Sequence, residues 1–346
     1  MNMKVNPTEK RRCLWKDMLF GFVLLMAVGL VLLFTMMHMG KKKLLHPADY
    51  AVPTESTDPE AYKEIHRDGI HYTYKEDLVN ILILGIDGED KAVENTVYGA
   101  GPKSDAIYLA TFDVKEKKLT FLSISRDTIT GIHYTDSFGK DIGIFDGHLT
   151  LQYANGDGLH WSCELTSEAV SRLLDGIPVH AYTALYWNSI KPLTDAIGPV
   201  PVIVPEYMCW VNPPVFHYSG YMELDGRQAV EFVRERDINI PGSNEVRSVH
   251  QQEFLQSFFD VTKQKLKKNP LIVLELKKII DDYLVTDLAL DEMVTLASWV
   301  GGWDIQTLDI RSLPGESVEG DLHDEFYVDE QGKQELLLEL FYQKQQ

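Results

Sequence analysis

Cysteine is nearly missing from this 346-residue chain, which has only Cys13, Cys163 and Cys209. Basic residues are also scarce: Lys and Arg total 33 against 52 Asp and Glu, a formal net charge of −19. That balance excludes a nucleic-acid partner, because a protein that neutralises a run of phosphates is basic over its binding face. An anionic phosphate ligand would need a local group of Arg working against the overall field, so the position of each Arg carries information. No internal repeat is present, which excludes a solenoid or propeller array. What remains, at 45% hydrophobic and 25% charged residues, is the composition of an ordinary globular protein large enough for one big domain or two small ones.

One apolar run is long. Residues 18–40 carry no formal charge, just over the roughly 20 residues that cross a hydrocarbon core. The run is too long for a cleaved signal peptide, and Lys41-Lys42-Lys43 follows it without a small-x-small site. Lys4, Lys10, Arg11, Arg12 and Lys16 precede it, so the positive-inside rule favours a cytoplasmic N-terminus. The expected organisation is a cytoplasmic segment 1–17, a single transmembrane helix 18–40, a stalk 41–77 containing Pro47, Pro53 and Pro59, and an extracytoplasmic domain 78–346, held at the cell membrane. Cys163 and Cys209 then lie where a disulfide can persist; a bridge and two buried thiols both fit.

Along the domain, Asn80 to Gly85 is a continuous apolar run of strand length, as for a strand buried on both faces. Ala106–Asp113 and Leu119–Ser125 read as a hairpin closed by a lysine-rich loop. The segment from Asp127 to Gly147 reads as a surface loop, and His148 to Gly158 as helix-like. Leu165–Leu174 reads as a helix stopped by Gly176 and Pro178, Val179–Leu185 as a strand, Asn188–Ile197 as a helix and Val200–Val204 as a strand. Pro205–Tyr221 looks like an exposed excursion, before helices at Asp225–Val233 and about Glu245–Lys268. Alternation of this kind predicts a mixed α/β sheet sandwiched by helices. From Leu271 to Tyr342 the apolar spacing reads as core, with no second catalytic constellation.

Two groups of residues carry chemistry. With the hairpin centred near Glu116, paired positions sum to about 232, which sets Asp105 opposite Asp127. Arg126 stands beside them. Two close carboxylates call for a cation, and Mg²⁺ held by one or two carboxylates plus phosphate is the ordinary solution; two Asp solvating strand ends is the plainer reading. In the second group, Arg247, His250 and Gln251 at i, i+3 and i+4 share a helix face, with Arg234 and Arg236 across the connecting loop. Ser243 or Asn244 supplies an N-cap, and a helix N-terminus favours anions. Arg forks beside Mg²⁺ suit a pyrophosphate. The alternative is surface pairing with Glu231, Glu235, Asp237 or Glu245.

The ordered set Asn80–Asp87, Lys103-Ser104-Asp105, Ser123–Asp127, Leu224-Asp225-Gly226 through Arg234-Glu235-Arg236, and Arg247–Gln251 resembles the LytR-CpsA-Psr family, strongly over 80–268 and more loosely beyond. The resemblance implies an extracytoplasmic, Mg²⁺-dependent phosphotransferase of the cell envelope. Such an enzyme moves a glycopolymer, such as wall teichoic acid or capsular polysaccharide, from polyprenyl pyrophosphate to a peptidoglycan hydroxyl through a phosphodiester. By position, Asp105 and Asp127 would bind Mg²⁺ and, with Arg126, form the catalytic set. Lys103, Arg126, Arg234, Arg236, Arg247, His250 and Gln251 would hold the pyrophosphate, and Asp87 matches an acidic position nearby. The family fold also implies an apolar groove for the polyprenyl chain.

Four positions depart from the family pattern. Lys103 stands where Arg is frequent, Glu89 where a basic residue is common, His148 where many members have Lys, and His250 where many have Arg. Each lowers the fixed positive charge near the phosphates. Two rival functions follow from the same residues: hydrolysis of the carrier pyrophosphate, and a non-catalytic membrane protein that keeps the site as a sensor.

Overall fold

The computed structural model describes residues 29, 31–46, 60–88, 91–95, 97–210, 215–235, 243–320 and 324–345, with backbone alone at 243–245. A six-stranded mixed sheet organises it, in the order Leu284–Thr286, Ala181–Tyr186, Leu78–Asp87, Lys103–Asp113, Lys118–Ile124, Asp309–Ser312. Ala181–Tyr186 runs parallel to Leu78–Asp87, and Asp309–Ser312 parallel to Lys118–Ile124; the other neighbours are antiparallel.

The run Leu78–Asp87 is apolar on both faces because both faces are covered. Leu82, Leu84 and Ile86 pack beneath Ala169, Val170 and Leu173 of the helix His160–Leu173. Val79 and Ile81 pack on the other side with Phe259 of the helix Ser243–Lys268 and with Trp303. The expected helix–sheet–helix sandwich is therefore what forms. Burial of each such Leu or Ile contributes about 1.5–3 kcal/mol. The one buried polar residue in the strand, Asn80, is fully satisfied: its side-chain amide donates to Tyr74 Oη (3.1 Å) and Pro178 O (2.9 Å), and its side-chain carbonyl accepts from Thr111 Oγ1 (2.9 Å). Its backbone N–H donates to His180 Nδ1 at 3.0 Å. Burial lowers the His180 pKa to about 4.

Several expectations need correction. The stretch 60–77, expected as stalk, is folded: Glu64–Arg67 and Ile70–Tyr74 form a small sheet with Tyr342–Lys344 near the C-terminus. Helix 31–45 is docked rather than free, with Leu44 buried, Lys43 paired to Asp291 at 2.8 Å, and Thr295 Oγ1 donating to Met37 O at 3.2 Å. Most of the expected transmembrane run 18–40 lies outside the described residues, and no described helix is long and apolar enough to cross a membrane. The segment after Asp127 is a hairpin, Ile129–Thr135 with Asp141–His148, whose glycines disguise it as loop. The helix-like stretch from His148 is two short 3-10 turns, Leu149–Leu151 and Tyr153–Asn155. Cys163 and Cys209 are both free thiols, the first buried and the second half-buried, so they do not bridge. The helix Gly226–Arg234 starts where expected, because Asp225 and Gln228 form a reciprocal capping box.

Candidate functional site

The central hairpin closes through Val114–Lys117, between Asp113 and Lys118. Lys117 takes a left-handed conformation (φ 53°), and Asp113 Oδ1 accepts from Glu116 N at 2.8 Å. An even loop makes paired positions sum to 231, as in Ile107 with Ile124, rather than the expected 232. Asp105 is therefore not the cross-strand partner of Asp127. Pairing stops at Ile124, and a turn follows in which Thr128 N and Oγ1 both donate to Ser125 O (3.2 and 2.7 Å).

Asp105 reaches the site by another device. Gly85 pairs with Ala106 and Ile86 with Ser104, so Asp105 is the extra residue of a β-bulge. A bulge re-aims a side chain that regular pleating would send elsewhere. Only a small residue fits opposite, since a Cβ on Gly85 would lie 3.0 Å from the Ala106 methyl carbon.

The buried Asp105 carboxylate meets two guanidiniums. Oδ1 accepts from Arg126 Nη1, and Oδ2 lies 3.3 Å from Arg247 Nη1. Arg126 Nε donates to Asp127 Oδ1 at 3.3 Å. Asp105 and Arg247 side chains are only 4% and 8% exposed, which is where an ion pair is strongest. Arg126 thus spans the two carboxylates. Oppositely charged neighbours satisfy one another when no anion competes.

The remaining candidates divide. Gln251, one turn beyond Arg247, donates from Nε2 to Val233 O at 3.2 Å and so joins its helix to Gly226–Arg234. Arg234 is exposed and stands over the Trp187 ring, 5.5 Å from its centroid, a cation–π contact. Lys103 is exposed at the strand end, opposite Asp87. His250 is buried between Phe232 and Tyr207, with Nδ1 3.3 Å from Tyr207 Oη. Burial lowers its pKa, against a smaller pull from Glu253, so it is neutral at neutral pH. His148 is half-buried at the foot of the Ile129–His148 hairpin. Arg236 and Glu89 lie outside the described residues, as do the side chains of Ser243 and Asn244.

Among the described residues no three His, Cys, Asp or Glu side chains come together as a metal cage. Two carboxylates sharing one guanidinium fit Mg²⁺ in a narrower sense. They supply one or two hard oxygens, and phosphate oxygens and waters would complete the octahedron.

Beside this polar cluster lies an apolar cavity of about 200 Å³, bounded by Ala106, Tyr108, Phe121, Trp187, Phe254 and Phe258. Ala106 and Gln251 also line it, next to Asp105 and one turn from Arg247, so charged site and apolar chamber share a wall. Sequence patterning finds the strands and helix but not the chamber, which no single run encodes.

The LytR_cpsA_psr family model matches residues 48–341. The chain belongs to that family. It is 27% identical over 283 residues to the polyisoprenyl-teichoic acid–peptidoglycan teichoic acid transferase TagU of Oceanobacillus iheyensis, covering 77% of this chain and 76% of the relative. It is 30% identical over 195 residues to the TagT transferase of Bacillus subtilis, covering 54% and 53%. Among solved structures, TagT bound to LIIa-WTA superposes with a TM-score of 0.59 at 24% identity, over 85% of this chain and 96% of that one. B. subtilis TagV gives 0.58 at 21%, over 77% and 96%. At those identities the superpositions establish the fold alone.

Proposed function

We propose that this protein transfers a glycopolymer from a polyprenyl-pyrophosphate carrier to a peptidoglycan hydroxyl, at the outer face of the cell membrane. The observation that carries the reading is the wall shared by the buried Asp105–Arg126–Arg247 cluster and the apolar cavity. A lipid pyrophosphate needs both environments within one molecule's length. The relatives named as teichoic acid transferases support the same substrate class, and the uncharged run 18–40 supports a single membrane anchor.

In this mechanism the acceptor oxygen attacks the glycan-bearing phosphorus. The P–O bond to the carrier breaks, polyprenyl phosphate leaves, and the hydroxyl's proton passes to water or to the departing phosphate. Arg126 and Arg247 exchange carboxylate for phosphate oxygens and hold the developing charge. Arg234 and Lys103, both exposed, steer the anion inward. Asp105 and Asp127 would hold Mg²⁺, which would offset negative charge on the leaving phosphate. His250, neutral and turned to Tyr207, shapes the wall rather than adding charge. Asp105→Ala and Asp127→Ala test the assignment: transfer from a pyrophosphate-linked donor at the parent rate in either variant would sink it. Products formed with and without a glycan acceptor separate transfer from hydrolysis.

A further inference from the structure

The hairpin Ile129–Thr135/Asp141–His148 grows out of the site, two residues after Asp127. Leu149 N donates to Thr128 O (2.9 Å) and Thr150 N to Arg126 O (3.0 Å), so its foot is fastened to the turn that presents Arg126. Nothing in the transfer chemistry uses the rest of it; Ile132 is buried in the core, yet Phe138, Ile142 and Phe145 stay in water. Phe138 at the tip is 90% exposed and Phe145 55%.

Two glycines of the hairpin lie against aromatic side chains. A Cβ at Gly147 would collide with the Tyr134 hydroxyl, and one at Gly143 would sit 3.5 Å from the Phe145 ring. Tyr134 and Phe145 centroids are 6.1 Å apart with their planes inclined by 59°, so the two rings meet at an angle beside bare glycine backbone. At the tip, Gly139 passes Tyr98, to whose ring a Cβ would come within 2.9 Å, and Tyr98 in turn packs on Trp161 at 5.7 Å. The strand of seven residues extends about 20 Å at about 3.3 Å per residue. Three exposed large apolar side chains, Phe138, Ile142 and Phe145, on one short hairpin mark a binding site rather than ordinary surface scatter.

We propose that this aromatic face seats the acceptor glycan strand, delivering its hydroxyl to the Asp127 end; the inference rests on the transferase reading above. Flat rings stack on the C–H faces of sugar rings, and neighbouring carboxylates accept hydrogen bonds from sugar hydroxyls. Charge selects the acceptor over the donor polymer. Asp136, Asp141 and Asp146 are on the hairpin against Lys140 alone, and this acidic rim repels a phosphate-rich chain while admitting a weakly charged glycan. The hairpin's attachment beside Arg126 lets a strand lying along it end at the phosphates.

The test uses the full chain in detergent micelles, with peptidoglycan sacculi stripped of other polymers as probe. Phe145→Ser and Phe138→Ser alter exposed side chains, so thermal stability and inorganic pyrophosphate binding stay at parent values. The expected result is at least tenfold weaker co-sedimentation with sacculi. Acceptor KM rises by a similar factor at unchanged donor KM, and Phe145→Trp restores both. Parent-like sedimentation and acceptor KM in the Ser variants overturn the proposal. If the parent transfers nothing but the variants still lose sacculus binding, the surface stands and the transferase reading falls.

Discussion

Replacing Asp105 by Asn probes the charge balance of the site. This carboxylate meets both Arg126 and Arg247, with side-chain exposures of 4% for Asp105, 22% for Arg126 and 8% for Arg247. Removing one member of a buried ion pair costs about 3–5 kcal/mol. Solvent access at Arg126 argues for the lower end, about 3 kcal/mol, or roughly a 6–9 °C fall in Tm for a domain of this size. The second half of the prediction concerns the ligand. Inorganic pyrophosphate must displace Asp105 from the guanidiniums in the parent but not in Asp105→Asn. In metal-free buffer the variant therefore binds pyrophosphate at least as tightly as the parent. At about 100 times Kd the ligand returns about 2.7 kcal/mol, nearly the whole loss. Thermal unfolding of detergent-solubilised protein across a pyrophosphate titration measures both effects, and transfer activity falls about 100-fold or more whatever metal is added. A Tm within 1–2 °C of the parent, or weaker metal-free pyrophosphate binding by the variant, refutes the view that Asp105 holds the Arg pair in trust for an anion.

Three further outcomes are expected. Leu255→Trp fills the cavity and weakens binding of a long-chain polyprenyl pyrophosphate about tenfold, a loss of about 1.4 kcal/mol, with inorganic pyrophosphate unaffected; equal losses for both ligands would mean that the chamber is not the lipid site. His180 has its pKa lowered to about 4 by burial. The unfolded chain thus takes up the proton first: stability is full above about pH 6.5, declines as pH falls toward 4, and loses at most about 3 kcal/mol. Urea denaturation of the parent and His180→Gln at pH 7 and pH 4.5 should show that decline shrinking in the variant. Gly40→Leu drives a side chain into the Asp291 carbonyl and Thr295 Oγ1; it should lift helix 31–45 off the domain and speed tryptic cleavage at Lys41–Lys43 about tenfold, the cost of undocking being about 1.4 kcal/mol or more. Unchanged cleavage would show that this packing is not what holds the helix.

The parts legible in the sequence were those written in runs. Apolar continuity located Leu78–Asp87, and helical spacing put Arg247 and Gln251 on one face. What escaped depended on a residue count or on a partner far along the chain. Centring the hairpin loop on Glu116, about half a residue off, misplaces the register by one, because an even loop changes the parity of every pair. The bulge that aims Asp105 is set by Gly85 meeting Ala106, two residues each ordinary in its own strand. The hairpin after Asp127 was taken for a loop because Gly131, Gly143 and Gly147, read as breakers, are the positions over or beside which Ile144, Phe145 and Tyr134 lie. The supposed stalk hid Ile70–Tyr74, whose sheet partner Tyr342–Lys344 is some 270 residues away.

The two ends of the central sheet divide the labour. Asp105 and Asp113 are eight strand residues apart, about 25 Å at about 3.3 Å each. Asp113 and Lys115, at the loop end, share a cavity wall with Leu45 and His46, where helix 31–45 finishes. The apolar chamber leads away from the Asp105 end, from Ala106 and Gly85 past Tyr108 to Phe121, and along the helix from Gln251 to Phe258. On the proposed reading, a lipid chain entering beside the phosphates runs toward the end where the anchor-proximal helix is docked. The donor glycan, on the other side of the pyrophosphate, is turned out past Arg126, which leaves the hairpin that begins after Asp127 to the acceptor strand. Docking of Leu44 and Lys43 then matters to catalysis, since a free tether would leave the direction of that chamber relative to the bilayer to chance.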